Sequence, residues 1–240
     1  MKHFLYLFVT LIIILGAGVA QAVNFEGTAV GSWSNVVSVD PSDIYSFSNN
    51  DVGGVAAFNW GIPATTTFNN MFTFNGVGSD GGAGWSAADE TPFAIGAFSY
   101  RNGSTYNSTG VNGVDLNAGL TITNPLGLSD TFAFSFQITN TPNNTGNPVL
   151  DGDIVTVTST FSPTVFSYDG VTYTFELLGF SSDGGATIRT DFSSPEGATA
   201  NALVFGQITS EISSVPEPGT MILLGCGLVG LWGFRKKINK

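Results

Sequence analysis

The sequence predicts an all-β protein: an antiparallel, jelly-roll-like β-sandwich between two short terminal segments. Apolar and polar residues alternate along several runs, which is the pattern of strands with one buried face. Clusters of Gly, Asn, Asp and Pro separate these runs at short intervals, as tight turns require. No long amphipathic helical pattern precedes residue 215. Residues 23–214 are numerous enough to bury one sizeable core, so we expect a single extracytoplasmic domain there.

The first 22 residues have the features of a secretory signal peptide. A weakly basic start, Lys2 and His3, is followed by an apolar run over 4–15. Ala20 and Ala22 then flank Gln21 in the small-residue pattern of a cleavage site. The alternative is a first transmembrane anchor, which the short apolar run disfavours. We therefore expect the folded body to start at Val23, outside the cytoplasm.

The clearest strands in the body are three runs in which large apolar residues lie at alternate positions of one parity. They contain Phe132, Phe134, Phe136 and Ile138 in one run, Val171, Tyr173, Phe175 and Leu177 in another, and Phe68, Phe72 and Phe74 in the third. The same pattern predicts further strands over 32–39, 55–60, 93–100, 114–123, 154–159, 186–192 and 200–212. About ten short antiparallel strands indicate a sandwich.

The composition of the body excludes several kinds of chemistry. All 18 acidic residues lie between Glu26 and Glu217, and only Arg101 and Arg189 oppose them, so this part has a net charge of −16. The only histidine is His3 and the only cysteine is Cys226, and the body has no lysine. Disulfides, His or Cys metal sites and His, Cys or Lys catalysis are therefore ruled out there. The acidic surface argues against nucleic acid as a partner.

Two groups of body residues are candidates for binding. Asp151 and Asp153 follow a Pro/Asn-rich loop, and alternate carboxylates on a loop are suitable oxygen ligands for Ca²⁺. We favour the alternative, in which they form turns that cap the next strand, and no other cofactor is expected. A set of aromatic side chains offers either a sugar-stacking platform or, as we favour, core packing; it consists of Trp33, Trp60, Trp85, Tyr100 and Tyr106.

The last 26 residues combine a turn, an apolar stretch and a basic end. The turn is Val215, Pro216, Glu217 and Pro218, and the uncharged stretch covers 220–234. As a helix it would be about 22 Å long, which is short for a hydrocarbon core of about 30 Å. The basic residues that follow can reach the headgroups and mark the cytoplasmic side; they are Arg235, Lys236 and Lys237. We expect a single transmembrane helix there, with a buried helix of the domain as the alternative.

This tail resembles the PEP-CTERM sorting signal of Gram-negative bacteria. The resemblance implies recognition at Val215–Pro218 by an exosortase, a membrane-embedded cysteine transpeptidase-like enzyme, and removal of the tail. The protein is then expected to be anchored in the membrane transiently and to reach the cell surface or the extracellular matrix.

The body is similar to the choice-of-anchor K domain, an extracellular β domain that accompanies such anchors. The similarity lies in short motifs, which include Gly31-Ser-Trp33, Phe58-Asn-Trp60-Gly61 and Pro92-Phe93-Ala-Ile-Gly96. It implies an architecture and a location, and no reaction.

Three classes of function remain open. The first is a non-enzymatic surface or exopolysaccharide-matrix protein, the second a carbohydrate-binding module with or without Ca²⁺, and the third a glycosidase that uses carboxylates alone. The absence of His, Cys and Lys from the body makes us expect the first and disfavour an enzyme.

Overall fold

The body of the chain consists of β-strands, as a computed structural model describes for residues 22–38, 44–49, 55–64, 68–106, 108–159, 161–211 and 225–227. Residues 23–211 form one compact unit. Of the second unit, 1–22 and 212–240, the structure describes Ala22 and a helical turn over 225–227. The thirteen strands of the described residues are β1 (Asn24–Ser38), β2 (Tyr45–Ser48), β3 (Ala56–Trp60), β4 (Asn70–Gly76), β5 (Trp85–Ala88), β6 (Phe93–Arg101), β7 (Val111–Asn124), β8 (Leu128–Thr139), β9 (Asp153–Val157), β10 (Phe161–Tyr168), β11 (Val171–Ser181), β12 (Asp191–Ser194) and β13 (Thr199–Glu211).

The strands form two sheets in which every described pairing between strands is antiparallel. The six-stranded sheet has the order β12-β9-β8-β7-β1-β5, and the seven-stranded sheet has the order β10-β11-β13-β6-β4-β3-β2. Hairpins such as β7–β8 and β10–β11 alternate with connections that cross from one sheet to the other. The predicted all-β sandwich is therefore confirmed, and its jelly-roll-like character stays a prediction.

The core lies between the sheets and is mainly aromatic. Along β8, Phe132, Phe134, Phe136 and Ile138 are buried while the residues between them are exposed, as the alternation predicts. Rings of the two sheets meet directly: Phe132 and Phe134 both contact Phe175 of β11, with ring centroids 5.1 and 5.6 Å apart. Each such ring, once buried, contributes about 1.5–3 kcal/mol to the free energy of folding.

The strand predicted over 186–192 is wrong in its first half. Residues 182–190 form turns and an isolated bridge at Arg189, and strand β12 begins only at Asp191. Asp183 explains the difference, because its Oδ1 accepts hydrogen bonds from the Ser181 hydroxyl (2.7 Å) and the Thr187 amide (2.9 Å). These bonds close a local turn and compete with strand pairing. The strands β2, β5 and β10 were not predicted, the first two residues of β12 were, and the prediction over 32–39 covered only the second half of β1.

The sheets approach each other closely where Phe74 of β4 lies against glycines. A Cβ atom added at Gly31 of β1 or at Gly96 of β6 would overlap the Phe74 ring. Gly31 belongs to the opposite sheet and Gly96 to the neighbouring strand. The absence of two side chains therefore makes room for one ring in the core.

Replacing Gly31 with alanine tests this packing. We expect Gly31→Ala to lower the free energy of unfolding by about 1–3 kcal/mol, because the added methyl group displaces the Phe74 ring. Urea denaturation measures the change. The neighbouring Ser32→Ala, on the other face of β1, should change stability by less than about 0.5 kcal/mol. Equal stability of the two variants would contradict the close approach.

Candidate functional site

One end of the sandwich gathers most of the buried polar side chains among the described residues, namely Asn70, Asn102, Asp151, Asp153 and Ser194. The strand registers align the last residues of β6 and β12 with the first residues of β4, β9 and β13. The loops between these strands carry Asp151, and Asp153 is the first residue of β9. Both carboxylates are almost fully buried, with 5% and 6% of their surface exposed.

Asp153 joins the two sheets through its carboxylate. Its Oδ2 accepts a hydrogen bond from the Tyr100 hydroxyl of β6 at 3.2 Å, and its Oδ1 accepts one from the Thr141 amide at 2.8 Å. Burial raises the pKa of Asp153, and the hydrogen bonds from Thr141 and Tyr100 partly oppose that rise. Burial, with the charge of Asp153 as the next cause, also raises the pKa of Tyr100 well above its ordinary value.

Asp151 closes the loop that precedes β9. Its Oδ1 accepts from the Thr145 amide at 3.0 Å, and its Oδ2 accepts from the Gly146 amide at 3.1 Å. The contact with Thr145 is the main cause that lowers the pKa of Asp151. The turn-capping interpretation of the two aspartates matches these contacts.

Calcium binding by this pair stays a prediction. Several carboxylate oxygens of Asp151 and Asp153 already accept hydrogen bonds from amides and hydroxyls of the chain. Across the residues that the structure describes, no group of three or more acidic, His or Cys side chains is arranged to hold a metal ion.

A network around Asn102 fixes the same end of the fold. The Asn102 Nδ2 donates to the Ser194 carbonyl at 3.0 Å, and the Ser194 hydroxyl donates to the Tyr100 carbonyl at 2.8 Å. The Asn102 amide donates to the Ala198 carbonyl at 2.9 Å. These bonds connect the end of β6 to the turn between β12 and β13. The loops at this end therefore start from strand ends that are fixed relative to one another.

A polar cleft of about 490 Å³ opens among these loops. It brings together residues from five separate parts of the chain, which are 103–106, 110, 140–143, Asp153 and Glu196. Burial raises the pKa of Glu196, and the charge of Asp153 adds to the rise. Sequence reasoning named Asp153 and Tyr106 for other roles and missed Glu196, since nothing in the sequence shows that these segments meet.

The aromatic platform is not formed. Trp33, Trp60, Trp85 and Tyr100 are all buried in the core, where they contact other rings. Tyr106 is the one member of that set with an exposed side chain, at 56%. Core packing is therefore the use of the other four.

The predicted terminal sites fall mostly outside the described residues. This holds for Ala20, for Val215 to Pro218 and for Arg235 to Lys237, whereas Ala22 is described and exposed. The helix predicted over 220–234 also lies outside them, except for the helical turn over 225–227. No helix within the described ranges is both long and apolar enough to cross a membrane.

The comparison with protein families identifies the tail. Residues 214–237 match the family described as the PEP-CTERM protein-sorting motif. The prediction of a sorting signal is thereby confirmed, and the motif indicates an exported protein that an exosortase targets to the surface or matrix. The chain matches none of the curated proteins with which it was compared.

The pH dependence of stability tests the state of Asp153. Because the pKa of Asp153 is higher in the folded chain than the ordinary 3.8, protonation of Asp153 stabilises the fold. This contribution to the free energy of unfolding is fully present below pH 3.8 and is lost as the pH rises through the folded pKa. Asp153→Asn removes this titration. The stability of the variant relative to the unchanged protein should therefore increase as the pH rises from acid to neutral, as measured by urea denaturation at several pH values.

The same substitution at Asp169, in the exposed turn between β10 and β11, serves as the control. A stability difference for Asp153→Asn that is constant with pH, or that slopes the other way, would contradict the assignment.

Proposed function

We propose that this protein is an exported, non-enzymatic component of the cell surface or of an exopolysaccharide matrix, whose tail an exosortase recognises and processes. The match of residues 214–237 to the sorting motif is the observation that carries the proposal. Before processing, the segment 220–234 holds the chain in the membrane. After processing, the body remains at the surface or in the matrix.

The chemistry of the body supports a role without catalysis. From Val23 to Glu217 the chain has no His, Cys or Lys, so its remaining candidates for acid–base catalysis are carboxylates and tyrosines. Asp151 and Asp153 form hydrogen bonds that hold loops and join the sheets. A glycosidase would need one free carboxyl acid and one free carboxylate across the scissile bond. In the cleft Asp153 is already bonded to Tyr100 and Thr141, which leaves Glu196 as the freer group.

The charge, motifs and core of the body are consistent with an extracellular domain that performs no reaction. Its strong negative charge favours solubility and discourages adhesion to anionic surfaces. Its motifs resemble the choice-of-anchor K domain, and this resemblance belongs to the proposal. Its fold depends on an aromatic core and needs no disulfide, so its stability does not depend on the redox state of the compartment.

The sorting motif can be tested by mutation in a host that has an exosortase. Pro216→Ala with Glu217→Ala should leave the full-length chain in the membrane fraction, because the recognition turn is lost. Immunoblotting of membrane, surface and medium fractions measures the distribution. The neighbouring Ser213→Ala lies just before the matched residues, keeps the turn and should be processed as the unchanged chain is. Normal release of the first variant would contradict the proposed sorting.

The absence of catalysis can be tested with polymers. We expect the purified protein to produce no new reducing ends or unsaturated sugars from the exopolysaccharide of its host, because Asp153 of the cleft is already bonded to Tyr100 and Thr141. Release of sugar would contradict the non-enzymatic role if it disappears in both Asp153→Asn and Glu196→Gln. Release that persists in both variants would indicate a contaminating enzyme.

A further inference from the structure

The cleft at the loop end of the sandwich presents an aromatic ring on a fixed backbone. Tyr106 lines the cleft and is mostly exposed. Its amide donates to the Ile62 carbonyl at 3.1 Å, and its carbonyl accepts from the amide and hydroxyl of Thr109 at 2.9 and 2.8 Å. The Thr109 hydroxyl oxygen in turn accepts from the Ile62 amide at 3.0 Å. The backbone that carries the exposed ring is therefore fixed, which lowers the loop entropy lost when a ligand stacks on the ring.

The cleft also contains a carboxylate oxygen that lacks a donor. The Glu196 Oε1 is buried and has no hydrogen-bond partner within reach among the described residues, while interactions of the carboxyl group with the Ser104 and Asn143 side chains lower its pKa against the larger effect of burial. The Glu196 backbone is fixed, since its amide donates to the Pro148 carbonyl at 2.8 Å. A buried acceptor without a partner is costly. Because the residue as a whole is half-buried and lines the cleft, a ligand that donates to its carboxyl group reduces this cost.

The charges around the cleft limit the class of ligand. Asp153 and Glu196 both line it, and the lining residues include no basic side chain. The two arginines of the body are engaged elsewhere: Arg101 donates to the Asn69 side chain at 2.8 Å, and Arg189 pairs with Asp191 at 3.2 Å. An anionic ligand would be repelled, whereas a neutral or cationic hydrogen-bond donor is favoured.

From these features we propose that the cleft binds a non-anionic carbohydrate, with one sugar ring stacked on Tyr106 and a sugar hydroxyl group donating to Glu196. Asn140 and Asn143 carry amides that both donate and accept, so they can pair with further hydroxyl groups. The apolar face of a sugar ring packs on the electron-rich face of tyrosine. A cleft of about 490 Å³ lies within the range of small-ligand sites, about 300–1,000 Å³.

This inference rests on the proposed function, because a matrix protein retained by a neutral or amino-sugar polymer would need such a site. It names the polymer chemistry that the proposed function leaves open. Polymers rich in uronic acid are excluded as ligands by the two carboxylates of the cleft.

The experiment is a binding assay of the full-length chain in mild detergent against three sets of oligosaccharides: neutral, amino-containing and uronic acid-containing. It is run with EDTA and with added Ca²⁺. At least one neutral or amino-containing oligosaccharide should bind in EDTA, and the uronic acid set should not bind. Tyr106→Ala and Glu196→Gln should each weaken binding roughly tenfold, which corresponds to about 1.4 kcal/mol.

The matched controls are Tyr45→Ala, an exposed tyrosine on β2, and Asp169→Asn, which should keep the affinity of the unchanged chain. Unchanged melting temperatures of all four variants exclude unfolding as the cause. The proposal is overturned if no oligosaccharide binds, if uronic acid oligomers bind equally well, if binding requires Ca²⁺, or if Tyr106→Ala and Glu196→Gln bind normally. A chain that is still sorted through its tail but binds no sugar would overturn this inference and leave the proposed function in place.

Discussion

Contact between aromatic rings of opposite sheets is the interaction on which the rest of this structure depends. Trp33 of β1 lies against Phe58, Phe72 and Phe98 of the facing sheet, with ring centroids 5.7–6.4 Å apart, and its indole Nε1 donates to the Ala56 carbonyl at 3.2 Å. The body has no cysteine, so no disulfide holds the sheets together. Ring packing and the paired strands must therefore fix the distance between the sheets. The positions of the loops at each end depend on that packing.

The acidic residues have two different roles at the loop end. The carboxylate oxygens of Asp151 and Asp153 accept hydrogen bonds from amides and hydroxyls of the chain, so these residues stabilise the loops. Glu196 retains an acceptor without a partner and lies in a cleft beside an exposed tyrosine. A carboxylate whose oxygens are hydrogen-bonded within the chain stabilises the fold, whereas a carboxyl group that lines a cleft and keeps an unpaired oxygen can accept a hydrogen bond from a ligand. This difference separates the structural aspartates from the residue that we assign to sugar binding.

The long strands could be predicted from the sequence because apolar residues lie on one face of each strand and polar residues on the other. Buried positions alternate with exposed ones in most of β8 and with half-buried ones in most of β11, in step with the hydrophobic pattern, and both strands were predicted nearly at their observed positions. The strands β2 and β5 have four residues each, too few for the period to be recognised. The error over 186–192 arose from side-chain hydrogen bonds of Ser181 and Asp183, which the period cannot reveal. The cleft was unpredictable for another reason: Tyr106 and Glu196 are far apart in sequence, and only the sheet topology brings them together.

A stable, lysine-free body is followed in the chain by a tail that directs its export. The central claim is that the protein outside the cell has lost that tail. Mass spectrometry of the C-terminal peptide of the surface or matrix form, isolated from a host that has an exosortase, tests the claim most directly. We predict a C terminus within or before Val215–Pro218 and no peptide from residues 235–240. An extracellular form that retains Arg235, Lys236 and Lys237 would contradict the account.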